Sequence, residues 1–208
     1  MESVENISGG KILKNLKRMI NQVFTLLNKL IEEYLNMDLE LRRVTSEDWM
    51  AYRDFRLSAL QSKDAKAFGG SYEKESIRSH EEWRIRLEDN GERFFYGCFY
   101  KNEIVSAAGV YFDNKGKDKW SNNWIIVGVY TRPEFRNRGF SYKTMEAVLG
   151  KLKSDGVKKV ILMVNTKQES AINLYTKLGF KNVELIKDHP MGDGQTHDEF
   201  VMEKILAE

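Results

Sequence analysis

This sequence predicts an α/β fold, a mixed sheet with helices packed against it, on three observations. Short apolar or alternating runs recur along the chain, as buried and half-buried strands require. Between them lie helical patterns with recognisable starts and stops. The two kinds of run alternate rather than segregate, which points to one mixed sheet.

Residues 11 to 35 come first and stand apart. Leu13, Leu16, Ile20, Val23, Leu27, Leu30 and Tyr34 recur three and four apart, a heptad seam on one helix face, and Ile12, Met19, Phe24, Leu26 and Ile31 widen it. Lys11, Lys14, Lys17 and Arg18 near the start, with Glu32 and Glu33 near the end, oppose the helix dipole. Such a helix needs a packing partner. Its own domain or a sister copy is the leading reading, and the latter would give a homodimer through this helix or through the domain. Attachment to a membrane surface is the lesser alternative. A third is that the natural product starts at Met37, which opens "MDLELRRV". The expected organisation is an N-terminal amphipathic extension over residues 1–36 and one domain over 37–208.

Within that domain "LELRRV" reads as a strand, and "TSEDWMAYRDFRLSALQ" as a helix opened by Thr45 with Asp48 three residues on. "SKDAKAFGGSYEKE" reads as a polar loop, and Ser79 with Glu82 as a capping box before "WRIRL". "RFFYGCFY" and "EIVSAAGVYF" form a hairpin about Lys101 and Asn102. "WIIVGVYT" is a buried strand ended by Pro133, which cannot donate to a sheet ladder. "YKTMEAVLGKLKSDG" is a helix ended by Gly156, "VKKVILMV" a strand, and "ESAINLYTKLG" a helix stopped by Gly179. "FKNVELI" and "HDEFVMEKIL" close the chain as strands.

Composition excludes several function classes. With 41% hydrophobic residues among 208, and 12% aromatic, the chain can bury a core and is not disordered in type. Its 33 basic and 31 acidic residues nearly balance, which gives no reason to expect a nucleic-acid partner. The one cysteine, Cys98, lies in an apolar run, can form no intrachain disulfide and reads as a buried thiol. No run is long and apolar enough to span a membrane, and the N-terminus lacks the pattern of a signal peptide. A cytoplasmic location is therefore expected. His80, His189 and His197 show no ligand spacing, so no metal is expected.

The chemistry concentrates in "RPEFRNRGFSYKTM", residues 132–145. A buried strand ends just before it and a helix begins within it. The first turn of a helix has N–H groups without internal partners, and its dipole favours negative charge. Gly139 lets backbone approach a ligand, and Arg136 and Arg138 offer forked donors to phosphate oxygens. An anion site is the reading, though a solvated turn carries similar weight on these residues alone. The three-glycine dinucleotide spacing and the Gly-Lys-Ser/Thr of a P-loop are both missing. A second constellation, "NTKQESAINLYTKLGF", places Ala171 and Tyr175 four apart on one helix face. Tyr175 by itself could equally be a core aromatic.

"VYTRPEFRNRGFSYKTM" followed at this spacing by "NTKQESAINLYTKLGF" resembles bacterial-type members of the GNAT superfamily of acetyl-CoA-dependent N-acetyltransferases, over residues 39 to 205. The resemblance implies a mostly antiparallel sheet and acetyl-CoA as cosubstrate. The family's phosphate-binding loop falls on Arg136, Gly139 and Ser141, with Asn137, Arg138, Phe140 and Tyr142 beside them. Ser141 replaces the usual Gly or Ala, is small, and could itself donate to phosphate. Gln168 stands where the family has asparagine, which brings Asn165 in as a sharer of the pantetheine contact near Ala171. Val129, Tyr130 and Thr131 would lie on a strand that splays from its neighbour. Pantetheine would pair there as an added strand, with a backbone N–H near Val129 facing the acetyl oxygen. Tyr175 would protonate the departing thiolate, since a phenol of pKa about 10 keeps its proton at neutral pH.

The acceptor amine needs a base or a water chain; as a base Glu73 leads, with Glu75 and Tyr96 as alternatives. The leading functional expectation is transfer of acetyl to a primary amine of a small molecule or peptide. Acetylation of a protein N-terminus or lysine is the same-fold alternative. A non-catalytic acyl-CoA sensor is the alternative of another class.

Overall fold

The computed structural model describes residues 5–35, 39–65, 68–114, 119–191 and 195–206, with side chains from residue 12 to 28 in the first helix. The chain forms two compact units, residues 1–38 and 39–208. The first is a single helix, α1 (Glu5–Leu35). At 1.5 Å per residue its 31 residues span about 46 Å. Leu13, Leu16, Ile20, Val23 and Leu27 of the seam are all about half exposed, and Ile12, Met19, Phe24 and Leu26 more so. The exposure of Leu30 and Tyr34, and Met37 altogether, lie outside the described residues.

The second unit is built on a seven-stranded sheet. Its elements are β1 (Leu39–Val44), α2 (Trp49–Gln61), α3 (Tyr72–Ser76), α4 (His80–Leu87), β2 (Arg93–Tyr100), β3 (Glu103–Phe112), β4 (Trp124–Thr131), α5 (Phe140–Ser154), β5 (Lys159–Asn165), α6 (Glu169–Lys177), β6 (Lys181–Pro190) and β7 (Thr196–Ile205). The strand order is β1-β2-β3-β4-β5-β7-β6. All neighbours are antiparallel except β4 and β5, which α5 joins in parallel. A parallel pair needs such a crossover, whereas Lys101 and Asn102, both at positive φ, suffice to turn β2 into β3.

Alternation along the strands separates two cores. Phe94 faces α5 and α6 with Val110, Ile126, Met145, Leu152, Leu162 and Tyr175. Phe95 faces α2 and α4 with Tyr52, Phe55, Trp83, Phe99 and Tyr130. Three elements differ from the sequence expectation. The loop after α2 contains α3, because Ser71 accepts the Lys74 N–H and caps a short turn of helix. Helix α5 begins at Phe140, two residues early, because Gly139 in the left-handed region serves as its N-cap. Strand β6 runs on to Pro190, held by pairing with β7. The capping boxes at Thr45 and Ser79 both form. Asp48 accepts the Thr45 N–H at 2.9 Å, ahead of a short 3-10 turn that leads into α2, and Glu82 accepts the Ser79 N–H at 2.7 Å.

Candidate active site

The site begins with a gap in the sheet. β4 and β5 pair only at Trp124–Ile126 with Val160–Leu162. Beyond Ile126 both strands continue, but they part. The cause lies in β4: between the Gly109–Val127 and Ala107–Tyr130 pairs, Gly128 and Val129 together oppose Ala108 alone. This is a β-bulge, which bends a strand and ends pairing. Its first residue, Gly128, sits at φ +64°, a conformation that side chains other than glycine's oppose. Val127–Thr131 therefore have β3 on one side and no strand on the other.

An open cleft of about 1460 Å³ passes through this gap. A pocket for one small molecule holds roughly 300–1,000 Å³, so this one has room for two. Val129, Tyr130 and Thr131 line its middle, and Met163 and Val164 the β5 side. Tyr175, on α6, lines it as well. Its ring is 7% exposed, set edge-on to Phe180 at 6.1 Å. Among the described residues its hydroxyl has no hydrogen-bonding partner. Burial pushes the phenol's pKa well above its ordinary value, so it is a proton donor at any working pH. Gln168 and Ala171 of the same helix region also face the cleft.

At one end of the cleft the chain makes a short 3-10 turn at Pro133–Phe135 and enters α5. Asn137 and Gly139 both have positive φ, +59° and +77°. Successive left-handed and right-handed residues turn backbone N–H groups to one side, the geometry of an anion nest. A Cβ added at Gly139 would meet open space, so room for a ligand exists there. Asn137, Gly139, Phe140, Ser141 and Tyr142 line this end.

The two arginines part company. Arg136 lines the cleft but is tied down: Nε donates to the Thr131 carbonyl at 3.0 Å and Nη2 to Asp64 at 2.6 Å. Arg138 is exposed, with its guanidinium 5.7 Å from the Phe135 ring centre. Ser141 turns inward, 2.6 Å from Thr131, which reaches Ser106 at 2.8 Å; Ser106 and Thr144 lie 3.4 Å apart. That hydroxyl chain fixes the end of β4 to the start of α5. Asn165 is buried and organises the β5–α6 turn, accepting the Lys167 N–H at 2.9 Å rather than lining the cleft.

The other end is built from side chains of several elements. Glu75 lies 5% exposed in a two-pronged ion pair with Arg56, at 2.7 and 3.1 Å. Burial by itself would raise the Glu75 carboxyl. The hydrogen bonds and charge of Arg56, with Arg86 and Arg78 nearby, outweigh burial and hold it below the ordinary carboxylate range. A carboxylate so engaged is a poor base. Glu73, the leading sequence candidate, is exposed on α3 and does not line the cleft. Tyr96 packs against Phe94 on the α5 side of the sheet. His189 of β6 also lines the cleft, with its Nδ1 2.6 Å from Glu199 of β7. Neither residue stood out in the sequence, because a histidine and a glutamate ten apart have no motif. Among the described residues no group of three or more metal-ligating side chains occurs.

The sequence profile of the acetyltransferase (GNAT) family matches residues 57–180, more than half of the chain. The chain belongs to the GNAT family. A curated relative, an uncharacterized N-acetyltransferase of Methanocaldococcus jannaschii, is 23% identical over 184 residues, covering 83% of this chain and 74% of its own. Among solved structures, a GNAT-family acetyltransferase from Streptococcus pneumoniae superposes with a TM-score of 0.68 at 16% identity, over 82% of this chain and 100% of that one. Arabidopsis thaliana NAA60, solved in complex with acetyl-CoA, gives 0.62 at 13% identity, over 80% and 98%. The fold of this GNAT protein is thus shared with these structures, and its family supports an acetyltransferase activity.

Proposed function

We propose that this chain transfers the acetyl group of acetyl-CoA to a primary amine of a small molecule or peptide, by direct attack while both substrates are bound. The observation that carries this is the single cleft running through the bulged, unpaired stretch of β4, roomy enough for two ligands. Acetyl-CoA supplies an activated thioester. Val127–Thr131 present a bare strand edge to which an extended amide-bearing chain can add. The nest at Asn137–Gly139 and the first turn of α5 receive phosphate, with Arg138 close by. Backbone N–H donors at the bulge, about Val129, stabilise the charge that grows on the acetyl oxygen. Tyr175 holds the proton that the leaving sulfur needs. Direct attack fits the nucleophiles present. The one thiol, Cys98, is buried away from the cleft, and burial pushes it up to about 11, so it carries no acetyl group in transit.

The test is a panel of amines and peptides offered to purified protein with acetyl-CoA, following free thiol. Turnover with a subset of primary amines is the expected result. Tight acetyl-CoA binding with turnover of none would overturn this reading in favour of a sensor.

A further inference from the structure

We infer that His189, oriented by Glu199, is the general base that deprotonates the acceptor, and that the acceptor therefore arrives as an alkylammonium ion. This rests on the acetyl-transfer reading above.

The argument starts in the β6–β7 hairpin. Ile186 pairs with Glu199, and His189 with His197. Two residues on β6, Lys187 and Asp188, thus oppose one on β7, Asp198. Strict alternation from Glu184 and Ile186 would put residue 188 on their face. The extra residue puts His189 there instead, beside Glu199. The bulge is built rather than accidental: Asp188 takes φ +52°, and its N–H is held by the Asp198 carboxylate at 3.1 Å. Bulges beside active sites commonly re-aim a side chain in this way.

The chemistry follows from valence. A carboxylate can only accept, so the hydrogen in the 2.6 Å contact sits on Nδ1 of His189. In the neutral ring Nε2 then carries the lone pair. Glu199 is almost wholly buried, which fixes the ring's tautomer and direction. The His189 side chain is 38% exposed and lines the cleft that Tyr175 also lines. Among the described carboxylates that line the cleft, Glu75 is locked to Arg56 and Asp64 to Arg136, Glu92 is held by Asn114 at 2.7 Å, Asp113 has a partner of its own, and Glu169 stands exposed in the first turn of α6. β4, which borders the reaction centre, has no acidic residue.

The steps balance. His189 Nε2 takes one proton from the ammonium. The freed nitrogen lone pair forms the N–C bond to the acetyl carbon, and the C–S bond breaks. Sulfur leaves with the electron pair and takes the Tyr175 phenol proton. The nitrogen loses a second proton as it becomes an amide, and solvent returns one to Tyr175. One proton is released net, from His189 to water.

Two measurements test this on the full chain. The first is His189→Gln with two probes, lysine ethylamide blocked at its α-nitrogen and an unblocked alanine peptide lacking lysine. An ε-ammonium of pKa about 10.4 depends on a base far more than an α-amine of about 7.8. The expected loss of kcat/KM is about 10²- to 10⁴-fold for the first, and at least tenfold smaller for the second. Glu199→Gln should lower kcat with little change in KM. Equal losses on both probes, or none, would overturn the proposal. The second needs no acceptor: ¹⁵N NMR of histidine-labelled protein. The expected result is that His189, in its neutral form, carries its hydrogen on Nδ1 and that Glu199→Gln changes this. A proton on Nε2 would overturn the proposal, even if no amine turns over and the acetyl-transfer reading has already failed.

Discussion

The two ends of the cleft recognise by different means. At the α5 end the contacts come from backbone: an unpaired strand edge, two left-handed turns and a helix start. At the other end they come from side chains on four separate elements, Arg56 on α2, Glu75 on α3, His189 on β6 and Glu199 on β7. A backbone-built site tolerates most side-chain changes but depends on a few conformations. A side-chain-built site can be rewired one residue at a time. The first suits a constant cosubstrate and the second a variable acceptor.

Four experiments probe that contrast, the largest effect first. Tyr175→Phe removes one oxygen from the cleft wall. Turnover should fall about 10²- to 10⁴-fold, with acetyl-CoA affinity and melting temperature nearly unchanged. Near-normal turnover in a stable variant would make Tyr175 a core aromatic only.

Glu75→Ala comes next. It strands the buried Arg56 and should destabilise the fold by about 3–5 kcal/mol, the usual result of breaking a buried pair. The carboxyl titrates below its ordinary value, so the unfolded state binds more protons as pH falls. The pair's contribution is full above the normal carboxylate range and is lost on acidification. Acid melting curves of Glu75→Gln should be flatter than those of the wild type.

At the backbone-built end, Gly139→Asp strains φ +77° and sets a negative charge in the nest. It should weaken CoA about ten- to a hundredfold while sparing pantetheine, which lacks the phosphates. Arg138→Ala should act the same way, more weakly. Arg136→Ala should lower the melting temperature, because Asp64 and the Thr131 carbonyl lose their donor. Calorimetry showing equal losses for CoA and pantetheine would erase the distinction between the ends. The smallest effect is expected from deleting residues 1–36. Acetyl-CoA affinity should stay within about twofold, since the cleft-lining residues described all lie in the second unit.

The same contrast explains what could be read from sequence. Strand and helix periodicity located nearly every element; the differences came from local capping at Ser71 and Gly139 and from the pairing of β6 with β7. At the α5 end the local backbone was legible, since Gly139 was read as the conformationally free residue at the helix start and takes positive φ there; its reading as a phosphate loop came from the family resemblance. Even there Arg136 and Arg138 looked alike, since only the fold brings Asp64, 72 residues away, to Arg136. The acceptor end was not legible. Glu73 and Glu75 stood two apart as equals, and Arg56, 19 residues off, decides between them. His189 was read only for metal spacing, because a bulge that shifts alternation by one residue has no fixed sequence signature.

Three residue pairs are all that join β4 to β5, and they join two otherwise well-knit ladders, β1 to β4 and β5 to β6. A ligand laid along the open edge extends that joint. By linkage, a ligand at a hundred times its Kd adds about 2.7 kcal/mol to the folded state. Amide hydrogen exchange should therefore slow in residues 127–131 when CoA is added, well before it slows in the ladders on either side. On the acetyl-transfer reading, the stability of the chain then follows the supply of acetyl-CoA.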